Sequence, residues 1–250
     1  MLYLIGAGLK PEHLTIEALE AIKKCDRVFL DTYTSMFSDG NLQELEKLAE
    51  KKVFLLARKN LEEESGELLS LAKSNNAALL VIGNPLTATT HIQLVLDAHS
   101  KRVQVQVIPG ISITNFLAKT GLDEYRFGRT CTIPEHREGF EPESFYDFIL
   151  ANKKNGLHSL CLLDTGDGKN FLSAAKAVEI LEKIEKSRQE KPLAESTFVV
   201  LAGAGGKNEQ ILWGNLTKIR RTSIAVYPQS LIVCGNLNEK EQEALGGLYG

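Results

Sequence analysis

Short apolar runs alternate with amphipathic stretches through the first half of the chain. LYLIG at 2–6 reads as a buried strand, and TIEALEAIKK at 15–24 places Ile16, Leu19 and Ile22 at helical spacing. RVFLD at 27–31 is a second strand, and NLQELEKLAE at 41–50 is a helix with Leu42, Leu45 and Leu48 on one face. KVFLLA at 52–57, ALLVIG at 78–83 and VQVQVIPG at 103–110 are further strands, with helices predicted near 61–74 and 90–99. Strands separated by helices long enough for crossovers predict a mostly parallel sheet covered on both faces.

The rhythm changes after about residue 112. TCTIP at 130–134, SLCLLD at 159–164, STFVVLAG at 196–203, EQILWG at 209–214 and SIAVYPQSLIVCG at 223–235 read as strands. Helices are predicted over SFYDFILANKK, over 169–186 with Phe171, Ala175, Val178 and Leu181 inward, and over 238–246. So few helices between the later strands predict a mixed sheet with hairpins. The pattern divides the chain into an N-terminal lobe, 1–112, and a C-terminal α/β lobe, 113–250, with the change falling within 112–126.

Composition narrows the function classes. A formal net charge of −3 and only short basic runs (Lys51-Lys52, Lys153-Lys154, Arg220-Arg221) argue against a nucleic-acid partner. Cys25, Cys131, Cys161 and Cys234 are far apart, with no CxxC spacing and no histidine cluster beside them, so neither a metal site nor a disulfide framework is expected. They read instead as small packed residues in a reducing, cytoplasmic protein. Met1 leads straight into the first strand, so no signal peptide is expected, and no apolar run is long enough for a membrane span.

Ligands of parallel α/β sheets bind beyond the carboxyl ends of the strands. That directs attention to residues 6–9, 31–35, 83–90 and 109–113. Gly6-Ala7-Gly8 lacks the third glycine of a dinucleotide fingerprint, and it reads equally as a tight turn or as backbone approached by a ligand. Residues 83–91 (GNPLTATTH) set small and hydroxyl side chains directly after a strand; we read them as lining a ligand, with Thr89 or Thr90 as helix cap and His91 as a capping or packing residue. Pro109-Gly110-Ile111-Ser112-Ile113 opens space in a similar place, with Ser112 as a possible cap. Gly203 to Gly206 reads either as a hairpin turn or as backbone that bonds an adenine edge. No Ser-His-Asp set, paired carboxylates or Walker loop is present.

Taken in order, LYLIGAGL, LTIEALE, DTYTS, GNPLTATTH, FGRT at 127–130, GLHSLCLLD at 156–164 and PQSLIV at 228–233 resemble the diphthine synthases of archaea and eukaryotes, over residues 1 to about 240. YTS, PLxATTH and FGxT together are specific to that family; the opening glycines and PGIS are shared with the wider tetrapyrrole-methylase fold. The resemblance implies two αβα lobes with a cofactor cleft between them, usually in a homodimer. It implies S-adenosyl-L-methionine as cofactor and, as acceptor, the amino group of a 3-amino-3-carboxypropyl-histidine in translation elongation factor 2. Archaeal members trimethylate this amine; eukaryotic members also methylate the carboxylate.

By the same resemblance the cofactor contacts are Leu9, Asn84, Thr87, Ser112, Ile113, Leu163, Ala204 and Gln229. Asn84, Thr87 and Gln229 stand where the family commonly has aspartate, valine and histidine. Asparagine keeps an acceptor oxygen but loses the charge. Methyl transfer from a sulfonium relies mostly on alignment, so the lack of a conspicuous acid/base set is compatible with it. No base is assigned: Asp31, Tyr33 and His91 all lie near predicted strand ends. A tetrapyrrole- or corrin-precursor methyltransferase is the alternative, and a non-catalytic cofactor-binding protein on this fold is a third reading.

Overall fold

A computed structural model describes residues 1–62 and 65–249. It divides into two compact units, residues 1–115 with 167–169, and residues 116–166 with 170–250.

The first unit is built on β1 (Leu2–Gly8), β2 (Arg27–Asp31), β3 (Val53–Leu56), β4 (Ala77–Ile82) and β5 (Val105–Ile108). They form one sheet in the order β3-β2-β4-β1-β5, and every pairing is parallel. β1 and β4 are buried at every position, as expected of inner strands covered on both faces. Alternate residues face opposite sides. Tyr3, Ile5, Ala78 and Leu80 share one cluster with Ala18, Ile22 and Leu45, which come from α1 (Ile16–Lys23) and α2 (Leu42–Ala49). Leu2, Leu4, Leu79 and Val81 share another with Leu61, Leu68, Leu69 and Leu94. These belong to α3 (Arg58–Glu62), α4 (Ser65–Ser74) and α5 (Ile92–Ser100).

Local signals set several helix ends. Thr15 accepts the Ala18 N–H and Asn41 accepts the Glu44 N–H, satisfying donors that the first turn leaves unpaired. The inward face of α1 is Ala18, Ala21 and Ile22, whereas Ile16 is 78% exposed, against the predicted spacing. Likewise Leu45 and Ala49 carry the α2 face, while Leu48 is exposed at its margin. The helix predicted near 61–74 is α3 and α4, and residues 63 and 64 between them lie outside the described residues.

The second unit has β6 (Cys131–Ile133), β7 (Ser159–Leu163), β8 (Thr197–Ala202), β9 (Gln210–Asn215) and β10 (Gln229–Val233), in the order β6-β7-β10-β8-β9. Only β6 and β7 are parallel; β8 and β9 form a hairpin, and β10 inserts antiparallel between β7 and β8. One face is covered by α6 (Ser144–Lys154), α8 (Ala174–Arg188) and α9 (Leu216–Arg221). A single turn, α7 (Gly166–Lys169), precedes α8, and α10 (Glu239–Tyr249) ends the unit.

The mixed sheet agrees with the sequence pattern, but three details differ. The long helix starts at Ala174, because Ser173 accepts the Lys176 N–H and caps it there; Phe171 precedes it. The apolar stretch 223–235 contributes a strand only at 229–233, after the cis Tyr227-Pro228 bond. The helix α9 was not expected. All four cysteines are buried free thiols.

FGRT belongs to the scaffold of this unit. Phe127 bridges to His158 in parallel, and the Gly128 N–H donates to the His158 carbonyl at 2.9 Å. A Cβ on Gly128 would lie 2.2 Å from Asn152 Oδ1. That oxygen accepts the Arg129 N–H, and its amide donates to the Arg129 carbonyl and to Ser159. A side chain at 128 would displace this buried amide.

Candidate active site

Five of the eight sequence-assigned positions stand at the carboxyl edge of the first sheet. The glycines there serve one another. A Cβ on Gly6 would lie 2.4 Å from the Gly110 nitrogen and 2.7 Å from the Gly83 carbonyl oxygen. The ends of β1, β4 and β5 therefore meet backbone to backbone. Gly8 and Gly83 also exchange hydrogen bonds of 3.3 and 2.9 Å, both at positive φ. Gly6-Ala7-Gly8 form the end of β1, with a register shift between Gly6 and Gly8.

Just past this junction, the buried Leu9 donates its N–H to His13 Nδ1 at 3.2 Å, and its carbonyl accepts both the N–H and the hydroxyl of Ser38. Asn84 follows Gly83. Its Oδ1 accepts the Leu86 N–H at 3.1 Å and its carbonyl accepts the Thr87 N–H, so residues 84–87 close a turn. Asn84 Nδ2 has no hydrogen-bond partner among the described residues. Thr87 is exposed, and Ala88 holds a left-handed φ of 55°. Thr89 does not cap α5: its hydroxyl donates back to the Pro85 carbonyl at 2.6 Å. The N-cap is His91, whose side chain makes no capping bond, so the cap expected from Thr89 or Thr90 is absent. The loop folds onto itself instead, leaving an edge of small and hydroxyl groups. Ser112 is buried; its N–H is held by Asn115 Oδ1, and its hydroxyl lies 2.7 Å from that of Thr114. Ile113 follows, half-buried, in a short 3-10 turn.

The remaining three positions gather at one edge of the second sheet. Leu163 ends β7, Gln229 begins β10 opposite Ala202, and Ala204 follows β8. Gln229 is fully engaged within its unit. Its Oε1 accepts the Ala174 N–H at 2.8 Å, and its Nε2 donates to the carbonyls of Ile224 and Val226. The side chain ties the start of α8 to the segment before β10, so a ligand here meets its backbone and its flank. Gly203 to Gly206 form the β8–β9 hairpin loop, which the Gly206 N–H closes onto Gly203 and the Gly205 N–H onto Glu209.

Sequence reading set Asp31, Tyr33 and His91 near strand ends without joining them. In the structure the buried Asp31 carboxylate is the hub of the DTYTS loop. Oδ1 accepts the N–H groups of Tyr33 (2.9 Å) and Thr34 (3.3 Å), and Oδ2 accepts the Thr34 hydroxyl at 2.6 Å. His91 Nε2 lies 3.3 Å from Oδ2, within ion-pair range but off the line of a hydrogen bond. The signal for this pairing was an acid ending β2 and a histidine closing the loop after β4, on strands that run side by side.

Comparison with known proteins joins these features to a family. The profile of the tetrapyrrole (corrin/porphyrin) methylases matches residues 1–220. A diphthine synthase of Methanococcus maripaludis is 32% identical, covering 100% of this chain and 99% of that protein. A diphthine methyl ester synthase of Bos taurus is 34% identical, covering 98% of this chain and 94% of its own. A crystal structure of diphthine synthase matches with a TM-score of 0.88 at 29% identity, covering 100% of this chain and 96% of that one. Similarity over the full length, in archaeal and animal relatives alike, places this chain in the tetrapyrrole-methylase family, among its diphthine synthases.

Proposed function

We propose that this methyltransferase uses S-adenosyl-L-methionine to methylate the amino group of 3-amino-3-carboxypropyl-histidine in translation elongation factor 2, giving diphthine. The observation that carries the reading is the match along the whole chain to proteins named for diphthine or its methyl ester. In this reading the enzyme works in the cytoplasm as a homodimer, and no membrane partner is involved. No helix among the described residues is long and apolar enough to cross a membrane.

Leu9, Asn84, Thr87, Ser112, Ile113, Leu163, Ala204 and Gln229 hold the cofactor in this proposal. The chemistry of the donor set fits it. Asn84 has spent its acceptor oxygen on the Leu86 N–H, which leaves an amide donor for a carboxylate or hydroxyl oxygen of the cofactor. Leu163 and Ala204 are almost fully buried apolar residues at the edge of the second sheet, and in this reading they would flank the purine ring. Bound there, the cofactor supplies a methyl group already activated on a sulfonium. The chain's own task is to orient the acceptor, to admit the neutral amine and to exclude competing water. An alkylammonium has no lone pair to offer, so the site must take the amine in its neutral form. Repeated transfer to one nitrogen needs room for a growing ammonium, and the small residues 87–90 supply it.

The match to a profile named for tetrapyrrole methylases supports a second reading, a tetrapyrrole- or corrin-precursor methyltransferase. Label transferred from the cofactor into elongation factor 2, with none in a tetrapyrrole precursor, separates the two.

Asn84→Ala should weaken cofactor binding by about 0.5–1.5 kcal/mol, the worth of one neutral hydrogen bond. Titration calorimetry on the folded variant reads this directly. Unchanged affinity would leave Asn84 as a turn residue alone.

A further inference from the structure

Two of the motifs that carry the family resemblance, DTYTS and PLTATTH, leave neighbouring strands of the first sheet and converge on one buried pair. β2 and β4 run side by side, with Leu30 opposite Leu80. Asp31 is 0% exposed and His91 3%. Neither ring nitrogen of His91 has a hydrogen-bond partner among the described residues, although Nε2 lies 3.3 Å from the Asp31 carboxylate. A buried ring kept only for packing gains nothing from two polar atoms left this way, and such groups call for an explanation. The carboxylate fixes one feature of the ring: an Nε2 lone pair turned toward Oδ2 would be repelled, so Nε2 carries the proton. Next to the pair, the Tyr33 hydroxyl lies 3.4 Å from that of Thr90, and the Tyr33 and His91 rings stand 6.4 Å apart. Thr90 is exposed, so this hydroxyl pair reaches the surface on which the strand-end loops open.

We propose that Asp31 and His91 form a positioning pair for the methyl acceptor, acting through the hydroxyls of Tyr33 and Thr90. Asp31 sets the Tyr33 and Thr34 backbone through its Oδ1, and the buried His91 ring anchors the chain directly after Thr90. Together they fix the two hydroxyl oxygens relative to each other. A hydroxyl oxygen held there accepts an N–H of the neutral amine and so aims its lone pair. The acceptor class is a primary amine and its partly methylated successors that still carry an N–H. Neither Asp31 nor His91 touches the substrate, so the pair governs alignment and leaves cofactor binding alone. The inference rests on the methyltransferase reading above.

The test compares the full-length parent with His91→Phe, His91→Gln and the double variant Tyr33→Phe/Thr90→Val. Cofactor affinity is read by calorimetry, and kcat and KM with elongation factor 2 carrying the aminocarboxypropyl group. His91→Phe should bind cofactor like the parent while kcat falls by up to about a hundredfold, the scale of a small misalignment of reacting groups. His91→Gln, whose amide N–H can face Asp31, should recover part of that loss. The double variant should reproduce the kcat loss without disturbing the pair, so it decides the matter if His91→Phe fails to fold. Unchanged kcat in the folded variants, or a kcat loss matched by lost cofactor binding, overturns the proposal. A parent that methylates nothing overturns the methyltransferase reading and the acceptor role with it. Nitrogen NMR of the His91 ring tests the pairing apart from activity: an Nε2–H tautomer supports it and an Nδ1–H tautomer overturns it.

Discussion

Replacing Glu241 with alanine is expected to remove about 3–5 kcal/mol of stability from the second unit, the scale for breaking a buried charged network from one side. Glu241 is 2% exposed on α10 and gathers partners from two distant segments and from the residues just before its own helix. It accepts His158 Nε2 at 2.9 Å, the Asp123 N–H at 3.1 Å and the Asn238 N–H at 2.9 Å, and forms an ion pair with Arg126. His158 Nδ1 accepts the Gly235 N–H at 3.0 Å, so the proton of this ring sits on Nε2 and points at the carboxylate. The Arg126 guanidinium also reaches the Asn236 carbonyl. Alanine would leave these donors unsatisfied and loosen α10 from the sheet. Urea unfolding followed by Trp213, the chain's one tryptophan and part of β9, reports on this unit. A loss below about 1 kcal/mol, within the range of an exposed pair, would contradict the network's role.

The same residue sets a pH dependence. Burial alone pushes the Glu241 carboxyl up, but the Asn238 N–H, the His158 ring and the Asp123 N–H outweigh it and hold the carboxyl below its ordinary value. A folded value below the unfolded one, about 4.3, stabilises the protein above that pH. The contribution is lost as the pH falls through the lower, folded value. The gap between parent and Glu241→Ala should therefore be widest near neutrality and close under acid. A gap that widened below about pH 4 would contradict the sign.

Gly6→Ala should destabilise the first unit by about 3 kcal/mol, the upper end of the overpacking range. The added methyl would meet Gly110 N at 2.4 Å, Gly110 Cα at 2.5 Å and the Gly83 carbonyl oxygen at 2.7 Å. All three are backbone atoms, so relief requires the ends of β1, β4 and β5 to part. Hydrogen exchange at the inner strands reads the loss. Protection unchanged from the parent would mean that the strand ends yield freely.

The sequence pattern made the first sheet legible because its inner strands are buried on both faces and so appear as unbroken apolar runs. It also marked the strand ends that carry the candidate site. It read poorly where partners are remote. Ile16 has the right spacing for an inward residue but sits in an exposed first turn, and Ser173 starts its helix after the apolar Phe171. Nothing local announces that Gly6, Gly83 and Gly110 occupy one point, or that Asp31 faces His91. FGRT carries the family resemblance in sequence, and only the fold shows that Gly128 leaves room for the Asn152 amide. Nothing local shows either that the Gln229 amide joins Ala174 to Ile224 and Val226. Side chains that act at long range are visible only once the strands are paired.

The most direct test of the account incubates the purified chain with S-adenosyl-L-methionine and elongation factor 2 that carries the 3-amino-3-carboxypropyl group, followed by mass spectrometry of the modified peptide. Methyl groups are expected on the amine of that one residue, up to the trimethylated ammonium, with a further methyl on the carboxylate marking the methyl-ester outcome. An unmodified elongation factor beside a methylated tetrapyrrole precursor would contradict it.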